Sequence, residues 1–474
     1  MKLLKLIPVF LVGAMAAVLP SRSFSQGSTL PGQQPPPAAS PTKGDDSGVT
    51  PTWDTQKQAR TFILSIPAPR GQITDRNGKP LAQTRIGYNL AIEFPTPLKM
   101  TDAQVLDFAH EQIGIARGIV GALHNRHVDA TDDEILKHYH SRGVLPLEIA
   151  TDLWKDERDA FKKAAPAHLV LQEVYLRFYQ NGPLAAHILG YMGRTGKALT
   201  KPIENNDLLW PDYVGRDGLE EAFNAQLTGK LGQMNISIDA TGKKVSQKVA
   251  FPPVAGNTVV TTLDEDLQRL CEQVLSKSAK RGAIVIADPN TGDILAMASW
   301  PEFNPNDFSS GISQEQFDKL NNDPELPLIA RAYRSKYPPG STFKIIVGLA
   351  ALESGAITLK DEFDGPAAYQ VGNTVMHNWK KDDAGQLNFH EALEESCDTW
   401  FYQVGIKTGA GPIIEWAKKF GFGEITGIPL RAEVAGRVPT DEYMMKAHGR
   451  KIGPGDIANI SIGQGDVEVT PLQM

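Results

Sequence analysis

Tyr337-Pro338-Pro339-Gly340-Ser341-Thr342-Phe343-Lys344, continuing as Ile345-Ile346-Val347-Gly348-Leu349-Ala350-Ala351-Leu352 and closing at Gly355, decides how this 474-residue chain is read. Two prolines and a glycine force a tight turn. Ser341 then opens a helix, and Gly355 fits the position just past its end. After Lys344 the helix is apolar almost all round, which predicts burial in a domain core with its N-terminus facing a cleft. Serine and lysine three positions apart share one helical face, close enough for their side chains to meet. A lysine acts as a base only when deprotonated, which an apolar surrounding favours. The helix start adds free N–H groups and a positive dipole end suited to a developing oxyanion. Ser341 as nucleophile, Lys344 as base and part of an oxyanion hole would thus come from one turn. The bland alternative is an N-cap serine followed by a surface lysine, which needs no function.

Further along, Asn388-x-x-Glu391 caps a helix that runs into Glu394-Glu395-Ser396-Cys397-Asp398-Thr399-Trp400-Phe401-Tyr402. It carries a Ser-x-Asp triplet whose hydroxyl and carboxylate can point into the same cleft. The triplet could equally end one helix and start the next. Lys407-Thr408-Gly409 follows at the end of the run Thr399 to Ile406 and precedes a helix expected over Ile413 to Phe420, so it reads as an interhelical turn.

Composition narrows the class. A chain 41% hydrophobic is too apolar to be disordered, and its length exceeds one ordinary core, so two or more domains are expected. The net charge of -7 leaves no broad basic surface, which argues against nucleic acid as a partner. Cys271 and Cys397 are too few and too far apart for a disulfide framework and read as free thiols.

Met1-Lys2-Leu3-Leu4-Lys5 leads into an uncharged run from Leu6 to Leu19, an export signal. The run is shorter than the ~20 residues that span a bilayer comfortably, which favours a cleaved peptide over an anchor. Residues 26–55 are rich in Gly, Pro, Ser and Gln and read as a linker. A β-rich unit begins near Thr61, with Phe62-Ile63-Leu64 and Tyr88 to Ile92 as strands and Asp75-Arg76-Asn77-Gly78 as a turn. Thr101-x-x-Gln104 and Thr131-x-x-Glu134 are capping boxes of an inserted helical lobe spanning about 100–170. A second domain is expected from near Asn257. It starts with a strand over Val259 to Thr262, an amphipathic helix over Leu263 to Ser278, and a hairpin of Ala283–Ala287 with Ile294–Ala298.

Taken together these residues resemble the class B penicillin-binding proteins, within them the elongation type. Arg70-Gly-x-Ile-x-Asp-Arg-Asn-Gly-x-x-Leu-Ala82, Arg177-Phe-Tyr179 through His187-Ile-Leu-Gly-Tyr191, and Gly215-x-x-Gly-Leu-Glu220 look like the family's three N-terminal signatures. Tyr337 to Lys344 is similar to its nucleophile motif, Ser396-Cys397-Asp398 to its second motif, and Gly463-Gln464-Gly465 with Thr470 to Met474 to a further family segment. The resemblance implies a multidomain α/β (α+β) protein: a signal peptide or membrane anchor (1–25), the linker (26–55), a pedestal domain (56–250) and a serine transpeptidase domain of β-lactamase-like fold (255–474). It also implies a peptidoglycan D,D-transpeptidase of cell-wall elongation at the bacterial inner membrane, with its catalytic domain in the periplasm. Ser341 would attack the penultimate D-alanine carbonyl of a stem peptide ending in D-Ala-D-Ala. Lys344 would deprotonate Ser341, Ser396 would relay a proton to the leaving amine, Asp398 would help orient Lys344 and the substrate amide, and Thr342 would serve on the substrate side. β-Lactams would trap Ser341, a membrane glycosyltransferase of the elongation machinery is the implied partner, and no cofactor is implied. For that partner's sake a retained anchor is the favoured form of residues 1–25.

Two departures from the family pattern stand out. Its third motif, Lys-Ser/Thr-Gly on a core strand, is expected well beyond Gly465, so a chain ending at Met474 reads as truncated and inactive in that form. Some relatives carry zinc through the cysteine of the second motif with upstream Asp and His; here Cys397 matches, but Asn378 and Ala384 stand at the other places. His377, Asp364 and His390 are near in sequence without a metal-binding spacing, so no metal is expected. A D,D-carboxypeptidase or serine β-lactamase of the same fold is one competing reading, and a non-catalytic β-lactam-sensing or scaffold module is another. The long segment from Thr61 to Val249 favours the transpeptidase, because a secreted hydrolase needs no such spacer.

Overall fold

The computed structural model describes residues 60–124, 127–194, 201–309 and 311–474; the expected export segment and linker lie outside them. Two sheets build the first half. β1 (Arg60–Ile66) pairs with β8 (Gly232–Ile238), which pairs with β9 (Lys244–Phe251), all antiparallel. In the other sheet, β2 (Ile73–Thr74) and β3 (Pro80–Ile92) flank the Asp75–Gly78 turn, and β5 (Leu169–Phe178) lies antiparallel to β3 from Gln83↔Phe178 to Ile92↔Leu169. Helices Asp102–Ala116 and Asp132–Arg142 start at Thr101 and Thr131, and both capping boxes form. Their apolar faces (Val105, Ala109, Ile113, Ile135, Tyr139) bury Leu90, Ile92 and Phe94 of the sheet edge. The lobe is not purely helical: β4 (Leu147–Ala150) lies within it and pairs with β3.

The three N-terminal signatures meet at one buried carboxylate. Glu220 takes Arg70 Nε on Oε2 and Arg177 Nε on Oε1, each at 2.5 Å, while Tyr179 donates to Oε1 at 3.2 Å. Arg70 Nη2 reaches the Glu220 carbonyl at 2.7 Å and Arg177 Nη1 the Gly71 carbonyl at 2.6 Å. Two guanidinium groups are thus buried against one carboxylate, and removing it would strand both, a loss of about 3–5 kcal/mol. β6 (Met192–Arg194) and β7 (Tyr213–Gly215) form a short ribbon that leads to Asp217 and the helix Gly218–Ala222.

The strand expected to open the second domain belongs elsewhere. β10 (Val259–Val260) runs parallel to β2, and Thr261 N–H and Oγ1 both donate to Thr74 O at 3.0 and 2.9 Å. The reason is steric as well as polar: Gly71 lies so close to the returning chain that a Cβ there would sit 1.9 Å from Asn257 O. The chain then enters helix Glu265–Ser278, capped by Asp264, which packs on the antiparallel hairpin β11 (Gly282–Ala287) and β12 (Ile294–Trp300).

The remaining core is helical. Phe343, Ile346, Val347, Ala350 and Ala351 from helix Lys344–Glu353 meet Trp400, Phe401 and Val404 from helix Asp398–Thr408, Ile413 and Ala417 from helix Ala410–Lys419, and Ile460 from helix Pro454–Ser461. Glycine makes two of these approaches possible: a Cβ on Gly405 would lie 1.7 Å from Ser461 Oγ, and one on Gly348 would lie 2.2 Å from the Phe389 ring. Both cysteines are free and buried. No helix among the described residues is long and apolar enough to cross a membrane.

Candidate active site

The turn before Ser341 is held from outside. Tyr337 N–H and C=O pair with Val469 at 2.9 Å each, and Gly340 N–H donates to Gly463 O at 2.8 Å. Gly463 has φ +68°, and a Cβ on it would lie 2.1 Å from Gly340 O. The Gly463-Gln464-Gly465 segment is therefore the backing of the nucleophile turn. Gly340 to Phe343 form a 3-10 turn, and the α-helix proper starts at Lys344 rather than at Ser341. Thr342 Oγ1 donates to Pro339 O at 2.6 Å, which tightens the turn. That bond occupies the hydroxyl expected on the substrate side. In a 3-10 turn positions three apart eclipse, which stacks Ser341 under Lys344.

Helix Phe389–Glu394, capped by the Asn388–Glu391 box, does not run through the second motif. It stops, Ser396 adopts φ 51°, and helix Asp398–Thr408 begins afresh. A left-handed serine costs about 1–3 kcal/mol and persists only where its surroundings dictate it. Here a loop does so: Trp379 Nε1 donates to Glu395 O at 3.1 Å, Lys380 pairs with the Glu395 carboxylate, and Asp398 N–H donates to Asn378 Oδ1 at 3.0 Å.

Lys344 is fully buried, and its ammonium spends three donors: on Ser396 O at 2.8 Å, Ser396 Oγ at 3.1 Å and Asp398 Oδ1 at 2.6 Å. The Phe401 ring lies 5.3 Å from Nζ. Ser396 Oγ in turn donates to Ser341 Oγ at 3.1 Å, and Ser341 is exposed. Among the described residues no hydrogen bond joins Lys344 to Ser341 directly, so Ser396 is the link between them. Ser341, Lys344, Ser396 and Asp398 come together; Thr342 is adjacent, its hydroxyl proton spent on Pro339 O. Tyr402, buried beside Asp398, has its phenol pushed up to about 12 by burial first and by the neighbouring carboxylate second, so it stays protonated.

Cys397 faces an amide, a hydroxyl and a methyl: Asn378 Nδ2 lies 3.6 Å and Thr399 Oγ1 3.4 Å from Sγ, and a Cβ on Gly365 would touch both Sγ and Ala384 Cβ. That donor set does not suit zinc. His390 lies out in solvent beside Glu394, and no three His, Cys, Asp or Glu residues converge among the described residues. Lys407-Thr408-Gly409 closes one helix before the next: Thr408 Oγ1 donates to Val404 O at 2.8 Å, Gly409 has φ +81°, and Lys407 Nζ sits 5.2 Å over the Phe363 ring. Sequence reasoning missed Trp379 and Lys380, which carry no motif of their own, and weighed Asn378 only as a departure from a zinc site.

Fold and site define a two-domain α+β protein built around a buried Ser-x-x-Lys centre. Residues 65–261 match the penicillin-binding protein dimerisation domain and residues 282–474 the penicillin-binding protein transpeptidase domain. The chain belongs to the penicillin-binding proteins that join these two domains. It is 33% identical over 430 residues to the peptidoglycan D,D-transpeptidase MrdA of Escherichia coli (strain K12), covering 88% of this chain and 64% of that protein. MrdA of Haemophilus influenzae is 32% identical over 435 residues, covering 89% of this chain and 64% of that protein. The chain thus spans a little under two thirds of the length of these relatives. Among solved structures, PBP2 of Helicobacter pylori in complex with MreC superposes with a TM-score of 0.71 at 28% identity, covering 88% of this chain and 76% of that chain. A chain of a peptidoglycan synthase complex that coordinates polymerization and crosslinking gives 0.64 at 30% identity, covering 88% of this chain and 69% of that one.

Proposed function

We propose that this chain carries the acyl-transfer centre of a peptidoglycan D,D-transpeptidase. The observation that carries the reading is the unbroken hydrogen-bonded path Ser341–Ser396–Lys344–Asp398. With Lys344 as ammonium the path points its protons toward Ser341. With Lys344 neutral it reverses, and Ser341 can release its proton through Ser396 to Nζ as its oxygen attacks the penultimate D-alanine carbonyl. Ser396 then gives a proton to the departing D-alanine amine as the peptide bond breaks and is reprotonated by Lys344, which returns to the neutral form. A neighbouring stem-peptide amine next attacks the acyl-enzyme, loses a proton along the path, and frees Ser341. Asp398 holds Lys344 in place in both states, and the Ser341 end of the helix supplies positive potential at the developing oxyanion.

Stem peptides ending in D-Ala-D-Ala and β-lactams are the proposed ligands. A membrane glycosyltransferase of the elongation machinery is the proposed partner, supported by the relative in a synthase complex that coordinates polymerization and crosslinking; the relative solved with MreC supports a second partner of the MreC kind. An export signal or anchor in residues 1–25 and a tether over 26–55 would place the domains in the periplasm beside the inner membrane. The test is peptide mass spectrometry after incubation with a fluorescent penicillin, on the protein as its gene encodes it. The adduct belongs on Ser341 and disappears in Ser341→Ala; label on another serine refutes the assignment.

A further inference from the structure

Asp217 stands at the end of the β6–β7 ribbon, in the dimerisation domain, and does two things. Its Oδ1 accepts from Gly218 N–H at 2.9 Å, capping helix Gly218–Ala222. Both its oxygens also take the guanidinium of Arg334 in a two-pronged fork, Nη1 to Oδ2 at 2.8 Å and Nη2 to Oδ1. The backbone beneath it is closely packed: a Cβ on Gly190 would sit 1.9 Å from Asp217 O. On the other side, Arg334 Nε and Nη2 donate to Arg431 O at 3.2 and 2.9 Å, and Arg431 itself pairs with Glu221 at 2.8 Å.

Arg334 lies on the segment that delivers the nucleophile. Three residues later Tyr337 is bridged to Val469, and Pro338-Pro339 leave little freedom before Gly340 is tied to Gly463. Between Arg334 and Ser341 the chain therefore has few freely rotating bonds. A fork between two half-buried groups is geometrically specific in a way a single point-charge contact is not.

We propose that Asp217 is a positioning residue: through its fork with Arg334, the dimerisation domain sets the placement of the Ser341 turn. The inference rests on Ser341 being the nucleophile. Asp217→Asn keeps the helix cap and removes the charge, and Arg334→Gln removes the fork. Each should lower the saturating rate of acylation by a fluorescent penicillin roughly ten- to a hundredfold while the preceding binding constant changes by less than about twofold. Hydrogen exchange in the peptide covering Ser335–Phe343 should accelerate in both. The double variant should be no slower than either single one, since both remove the same interaction. Parental acylation rates with parental exchange, or penalties that multiply in the double variant, overturn the proposal. If the parent takes no label on Ser341 yet exchange in Ser335–Phe343 still responds to both variants, the nucleophile assignment fails and the positioning role stands.

Discussion

Ser396→Ala isolates the relay, because it removes one hydroxyl and leaves the lysine where it is. In the variant Lys344 keeps the Ser396 carbonyl at 2.8 Å and Asp398 at 2.6 Å, so its position and its ion pair survive. What goes is the oxygen that lies 3.1 Å from Lys344 Nζ on one side and 3.1 Å from Ser341 Oγ on the other. Losing a positioned proton-transfer group lowers rates by about 10²- to 10⁴-fold, or roughly 2.7–5.5 kcal/mol of barrier. Stability should fall by no more than about 1–3 kcal/mol, the net worth of two hydrogen bonds. Ser396→Gly separates the two effects. At φ 51° glycine relieves strain that alanine retains, so the glycine variant should be more stable than the alanine variant by about 1 kcal/mol while acylating just as slowly. Stopped-flow acylation with a fluorescent penicillin and urea midpoints measure the two quantities. If Ser396→Ala acylates within about twofold of the parent, Lys344 takes the Ser341 proton directly and the relay is not part of the chemistry.

Gly463→Ala should destabilise by roughly 2–5 kcal/mol and slow acylation, since its Cβ would press on Gly340 at a left-handed φ; Gly372→Ala, with the same sign of φ and open space, should lose only about 1–2 kcal/mol and acylate normally. Lys407→Ala should leave acylation within about a factor of two, because the side chain lies over Phe363 at a helix end; abolished labelling would make Lys407-Thr408-Gly409 a working motif. His187, buried between the domains, has its imidazole pushed down to about 4 by burial. The unfolded chain therefore takes up a proton near pH 6.5 that the fold refuses, and about 3 kcal/mol of stability is lost as pH falls from 6.5 to 4. Glu272, pushed up to about 7 by burial, works the other way: its contribution is complete below the usual carboxyl range and is lost as pH rises through 7. Urea midpoints at pH 5 and 7 should show His187→Gln gaining relative stability on acidification and Glu272→Gln losing it; variants that keep the parental slope would refute both attributions.

What was legible in the sequence is what short-range chemistry dictates. Pro338, Pro339 and Gly340 make the turn, Thr101, Thr131 and Asn388 cap their helices, and Gly409 ends one, each with nearby partners. The break at Ser396 was only one of two readings the triplet offered, because nothing in Glu394-Glu395-Ser396 forbids a continuous helix. Trp379, Lys380 and Asn378 impose the left-handed turn from a loop that is distant along the chain. The pairing of β10 with β2 was not legible for a similar reason: two residues of strand have no preference that outweighs the open edge of β2. Arg70, Arg177 and Glu220 were each marked by a signature, yet their meeting at one carboxylate is a property of the packed chain. Spacing put Lys344 and Ser341 on one helical face, but the 3-10 turn and the position of Ser396 decide that the hydrogen-bonded connection between them passes through a second hydroxyl.

The most direct measurement supplies the protein, as its gene encodes it, with un-cross-linked peptidoglycan strands bearing D-Ala-D-Ala stems, and counts released D-alanine and dimeric stem peptides by liquid chromatography and mass spectrometry. A transpeptidase working through Ser341 yields the two products in equal amounts and yields neither as Ser341→Ala. D-Alanine released without dimers would make the protein a hydrolase, and an enzyme that takes penicillin on Ser341 but forms neither product would make it a sensor.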